Sequence, residues 1–350
     1  MMTDPYLAHA AFVVVCLLLL TLPFIPAYRE WRYPTDQSAL PIAANYTSDI
    51  DHFARRLHGD ASAKLGHGAA TGYEDFDWVP ESLADMDWAK AGKRLIARQS
   101  IDSRAGIQTS QPLYVEGSLR AGTDCAFTAL YATGDIELGA ESEIHDWAHA
   151  GGVLRLGSNA AALRRVSAGK AIDLGNEAWF ERLHAPELHF GPRNAGDPSP
   201  AATEVSGLTA ASFADLPDAV QQTPMLFIIR GNCALPAGKI YRGSLVVTGF
   251  LTIGSGTTVV GDIKAREGVS IGHRASVQGA VTCEKRVYVF KEARALGPVI
   301  SESDILIGAE AVVGTPDALT TVSANNIIVE SGARVHGTVW AHEIGMVKPA

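Results

Sequence analysis

Residues 249–285 read GFLTIGSGTTVVGDIKAREGVSIGHRASVQGAVTCEK, and their repeat decides the fold. Leu251-Thr-Ile253-Gly254 returns 18 residues later as Val269-Ser-Ile271-Gly272. Val259 and Val277 stand eight residues after those starts, and Ile263 and Val281 twelve after. Apolar residues two apart point to one face of a strand. A glycine just after them reads as a corner residue free to take φ > 0. Three short strands then close a coil, and coils stack about 4.8 Å apart. One coil cannot bury its inward face alone, so the stack itself makes the core.

Working outward, the same register reaches Val287-Tyr-Val289 and Ile305-Leu-Ile307-Gly308, with Val313 in the +8 slot. Ile327-Ile-Val329 follows after 22 residues, an insertion of four. Residues 233–250 fit as an earlier coil. Upstream, Ile136-Glu-Leu138-Gly139, Leu154-Arg-Leu156-Gly157 and Ile172-Asp-Leu174-Gly175 keep the period of 18, and Leu188-His-Phe190-Gly191 comes two residues early. The expected core is therefore Leu251, Ile253, Val259, Ile263, Val269, Ile271, Val277, Val281, Val289, Ile307 and Val313. The expected corner glycines are Gly139, Gly157, Gly175, Gly254, Gly272 and Gly308. The fold class is all-β: a three-sided β-solenoid with 18-residue coils.

The composition agrees. The 350 residues include 34 Gly and only 7% aromatics, against 47% hydrophobic residues overall. That suits small coils turned by glycine and filled by aliphatics. A net charge of −9 excludes the dominant basic surface that nucleic acid requires. Cys16 lies in the apolar N-terminal run, and Cys125, Cys233 and Cys283, with no paired spacing, read as small core fillers.

Ala8 to Pro26 is 19 residues without Lys, Arg, Asp or Glu. Its length, about 28 Å at the helical rise, predicts a transmembrane helix anchored in the lipid bilayer. Arg29 and Arg32 follow it, so the positive-inside rule predicts a single-pass inner-membrane protein with the N-terminus out and the bulk cytoplasmic. The expected organisation is an anchor (1–27), a juxtamembrane linker (28–111), a first solenoid region (112–191), a proline-rich linker or ejected loop (192–224) and a second solenoid region (225–345). Ser48–Leu57 reads as a short helix. Ser212–Gln222 reads as another, and a third is an option from Pro80 to Trp88.

The recurring form V-x-I-G-x-x-A-x-V-x-G-x-I/V-x-A over 233–344, and more weakly over 113–191, resembles the bactofilins, a polymer-forming cytoskeletal family. The resemblance implies a right-handed β-helix that self-assembles at the cytoplasmic membrane as a scaffold for cell shape or the envelope, with envelope proteins as further partners. Only Gly345–Ala350 follow the last coil, too little to cap it. An uncapped coil exposes backbone groups and interior, so self-association is expected at the C-terminal solenoid end.

No P-loop follows Gly151-Gly152, and no catalytic residue, metal or cofactor is expected. The rival reading is a hexapeptide-repeat acyltransferase, whose left-handed coils also hold 18 residues. Its general base would be His273 or His336. His145 and His149, four apart, share a face only on a helix. The acids Glu137, Asp173 and Glu141 read as scattered, unlike the carboxylate ladders of carbohydrate-active solenoids.

Overall fold

The computed structural model describes residues 5–32, 50–66, 76–80, 82–83, 86–192 and 208–349. The chain divides into residues 1–49 and a compact body, Ile50–Ala350.

In the first unit, α1 (Pro5–Thr21) and α2 (Phe24–Arg32) are separate helices of 17 and 9 residues. Pro23 lacks an amide hydrogen and cannot continue a helix, so the apolar run breaks at Leu22-Pro23. At ~1.5 Å per residue α1 is about 25 Å long, short of the ~30 Å hydrocarbon layer. No helix among the described residues is long and apolar enough to cross a membrane. The predicted transmembrane anchor at 8–26 is thus corrected. The single-pass topology and inner-membrane location, which rested on it, go with it.

The second unit is a β-solenoid of about 14 turns. A first stack begins with strand Phe76–Trp78, earlier than expected, and continues at Arg94–Ala97. Leu119 pairs with Ile136, then Leu154, then Ile172. The start at Leu119-Arg-Ala121-Gly122 escapes the pattern because alanine fills its second apolar slot. The second stack keeps strict parallel register: Leu251 pairs with Val269, Val287 and Ile305 in succession. Three strands make each coil there. Every predicted core residue is at most 1% exposed.

The corner glycines have another cause than the one predicted. None of the six has positive φ. The left-handed residue lies two positions on, at Glu141, Asn159, Glu177, Gly256, Arg274 and Glu310, and Glu292 takes the same slot two after Phe290. A Cβ on Gly139 would lie 2.6 Å from the Gly122 carbonyl oxygen, and one on Gly254 would lie 2.5 Å from the Ala237 nitrogen. The glycines are required because successive coils approach backbone to backbone at that corner.

The two stacks are one sheet with a reversal in it. The last strand of the first stack, Trp179–Phe190, pairs antiparallel with the last strand of the second, Arg334–Lys348. Leu183 faces Val339, Ala185 faces Gly337 and Leu188 faces Val335. The stacks therefore meet tail to tail. The chain leaves the junction at Gly191 and re-enters at Thr209, on the far end of the second stack, where Thr209–Ala211 pairs with Lys239–Tyr241.

This corrects the open C-terminal coil. Its backbone edge is paired within the chain, and Val347 is wholly buried. Self-association through that end has no free edge to use. Two expected helices change as well. Ser212–Gln222 becomes a single 3-10 turn, Phe213–Asp215, followed by strand Ala219–Thr223. Trp88 belongs to a 3-10 turn, Trp88–Lys90. Ser48 lies outside the described residues, and α3 spans His52–Gly66.

Candidate functional site

Three outward faces of the solenoid carry chemistry, and each is a ladder because coil stacking repeats one outward slot along the axis.

The first is a groove of about 880 Å³ along the first stack. Asp102, Arg120, Glu137, Arg155 and Asp173 occupy one slot in successive coils, each paired in register with the next. Their signs alternate. Arg120 pairs with Glu137 at 3.1 Å and Arg155 with Asp173 at 3.3 Å. Like charges directly opposite each other destabilise a sheet, so alternation is the arrangement that lets a charged ladder form. Glu137 and Asp173 are thus not scattered: they share one ladder with Arg155 between them. Glu141 stands apart at its left-handed corner. The ladder along the groove presents three carboxylates and two guanidinium groups.

The second face lies under α3. Tyr114, Tyr131, His149, Ser167, His184 and Thr338 form one ladder that crosses the junction. Ala54, Leu57 and Ala61 of α3 pack over its upper part with Phe76 and Ile96. His58 of α3 stacks on the rings of Tyr131 and Tyr114 at centroid distances of 5.1 and 5.9 Å. Further down, Nδ1 of His149 shares a hydrogen bond with the Ser167 hydroxyl at 2.8 Å, and Nδ1 of His184 shares one with Thr338 at 2.9 Å. Burial holds His149 below the ordinary histidine range, and its electrostatic interactions with His58, Arg55 and His184 push the same way. Burial also lowers His184; Asp51 opposes that and Arg182 adds to it. Burial raises the phenols of Tyr114 and Tyr131. Ser167 is buried, so its contact with His149 works as a clamp between coils rather than an exposed nucleophile.

The third face is apolar. Tyr288, Leu306, Ile328 and Met346 stack in register and meet Trp179 across the junction. With Ile344, three of them line a depression of about 440 Å³ rimmed by Arg286, Asp304 and Asn326. A hydrogen bond from Asn326, then the Arg286 guanidinium, holds the Asp304 carboxyl below its usual range.

The other residues singled out in the sequence do not converge on a site. His273 Nδ1 lies 2.9 Å from the Lys291 carbonyl at an exposed corner. His336 Nδ1 lies 3.0 Å from the Pro186 carbonyl, inside the junction. His145 sits beside Glu143, apart from the His149 clamp. Cys125 and Cys283 are buried, Cys233 is half-buried and Cys16 is exposed. The sequence reading missed the Tyr/His ladder, although its signal was present. Tyr114, Tyr131, His149 and Ser167 recur at intervals of 17, 18 and 18, a period legible only if outward polar slots are tracked as closely as inward apolar ones.

No family model, no curated protein and no solved structure matches this chain.

Proposed function

We propose that this protein is a structural scaffold: a rigid β-solenoid rod that displays outward ladders at fixed spacing. The observation that carries this reading is the antiparallel junction, which fuses two coil stacks into one 32-stranded sheet. A rod held together along its whole length suits a spacer or docking platform. The resemblance of residues 233–344 to bactofilins supports the same reading and suggests organisation of the cell envelope or cell shape. Indefinite stacking through the C-terminal coil is not part of it, because that coil is occupied within the chain. The groove and the apolar depression are the surfaces on which partners would dock.

Electron microscopy of the purified full chain tests this. About 14 turns at ~4.8 Å per coil make a rod roughly 65 Å long. Particles of that length, or of twice that length, agree with the proposal. Compact three-fold particles that transfer an acyl group from acyl-coenzyme A overturn it in favour of the acyltransferase reading, as do filaments of unlimited length.

A further inference from the structure

Helix α3 is held to the solenoid differently from the strands around it. It makes no backbone hydrogen bond with the described strands, so its docking on them rests on side chains. Ala54, Leu57 and Ala61 supply the apolar part, and the Asp60 carboxylate meets the Arg94 guanidinium at 2.8 Å. An element secured by few apolar contacts and no backbone ladder is among the first to open. What lies beneath it is titratable. His58 of the helix stacks on Tyr131, and His149 and His184 continue the same ladder.

The groups around those two histidines come from several elements. From α3, Arg55 and His58 act on His149, and Asp51 acts on His184. The Tyr131 phenol, on strand Ala126–Ala132, stacks on the His149 ring at 5.3 Å. Strand Ala161–Ala168 contributes Ser167, whose hydroxyl meets His149 at 2.8 Å, and Arg165, whose guanidinium lies 5.5 Å from the Phe53 ring of α3. Strand Trp179–Phe190 contributes Arg182 beside His184, with Glu181 beside Arg182. Across the junction, the Thr338 hydroxyl meets His184 at 2.9 Å. On the strand of His149 itself, Glu143 is turned to His145 and Asp146 to Arg164. Three arginines thus face two carboxylates while the histidines are neutral. Protons on His58, His149 and His184 would turn that near balance into a clear excess of positive charge, in a half-buried layer where charges interact more strongly than in water.

We infer that α3 is a pH-sensitive cover, docked over the ladder at neutral pH and released when His149 and His184 take up protons. Release lets water reach both rings and takes Arg55 and His58 away from His149. The undocked state therefore binds protons more tightly than the docked one. Docking is full above the ordinary histidine range, weakens as the pH falls through it and levels off once the docked histidines are themselves protonated. Release uncovers the rings of Tyr114 and Tyr131, which are buried while α3 is docked. The inference rests on the packing of α3 and is independent of the scaffold reading.

Hydrogen exchange of the full chain, followed by mass spectrometry between roughly pH 8 and 5 and corrected for the intrinsic rate at each pH, tests this. Amides of His52–Gly66 are expected to open at least about fivefold more often at the acid end. Those of Phe250–Ile253 and Gly268–Ile271 in the second stack are expected to stay unchanged. Two variants of α3 and its entry carry the sign. Arg55→Gln removes a cation facing His149 and moves the midpoint of release to lower pH. Asp51→Asn removes an anion facing His184 and moves it to higher pH. His149→Asn combined with His184→Asn flattens the profile. Opening of α3 that does not depend on pH overturns the inference. So do midpoints that the Arg55 and Asp51 variants leave in place or move in the same direction. Acid opening that spreads equally into the second stack overturns it too, because the whole body is then unfolding.

Discussion

The first and second stacks use one 18-residue coil but bury different faces. In the second stack the strands are two to five residues long until the last coils, and the inward slots are apolar, with Val277, Val281 and Val289 wholly enclosed. Its outward slots hold ion pairs such as Arg286–Asp304 at 3.0 Å. In the first stack the strands Glu143–Ala150, Ala161–Ala168 and Trp179–Phe190 run 8 to 12 residues and turn a corner without stopping. One of its outward faces is itself a core, closed by α3 over Tyr114 and Tyr131. The difference teaches that a solenoid coil is a frame. Inward slots must be apolar in both stacks, while each outward ladder is free to become solvent surface, helix dock or charged groove.

Four measurements break or sharpen this comparison, taken from the largest effect downward. Val277→Asp puts an unpaired charge inside the strictly regular second stack, where no neighbour can hydrate it; it should cost more than about 4 kcal/mol and abolish cooperative melting. Retained cooperativity would show the interior of that stack to be looser than its register implies. Leu183→Ala removes an enclosed side chain at the junction opposite Val339 and should cost about 3 kcal/mol. Hydrogen exchange should then quicken in Trp179–Phe190 and Arg334–Lys348 together, since each is the other's cover. Leu57→Ala should cost about 2 kcal/mol, confined to the docking of α3. Amides of His52–Gly66 should exchange faster while those of the second stack stay unchanged, and a global loss would mean that the first stack cannot stand without its helix.

The smallest effect is pH dependence, and it should belong to the first stack. His149 and His184 have folded-state pKa values below the ordinary value of about 6.5. The unfolded chain then binds more protons at mildly acidic pH. Their contribution to stability is full above the ordinary histidine range, falls as the pH drops through it, and levels off once the pH is below the lowered folded values. Thermal melts of the full chain between pH 8 and 5, compared with a His149→Asn, His184→Asn double variant, should show this slope in the parent and a flatter one in the variant.

Much of this fold was legible in one dimension. The inward slots of Leu251 through Val313 could be named because their burial repeats at a fixed interval, and a strand with period two admits only one inward set. The glycine positions were legible too, but their reason was not. A glycine needed for φ > 0 and one needed for a neighbouring backbone look alike in sequence, and the left-handed slot was hidden because Glu and Arg fill it as well as Gly. The start at Leu119 was obscured by Ala121, whose small side chain carries no apolar signal of its own. The apolar run at 8–26 was misread because hydropathy sums over a window, whereas Pro23 interrupts the hydrogen-bond ladder at a single point.

The sequence by itself determined the coil: its length, its three sides, its interior and its corners, because every such requirement lies within one repeat and its nearest neighbours. Only the tertiary structure decided how the stacks end. That the last strand of one should pair antiparallel with the last strand of the other, 150 residues away in sequence between His336 and Pro186, depends on two edges finding each other in space. An edge presents only backbone groups to its partner, and backbone groups are the same in every residue.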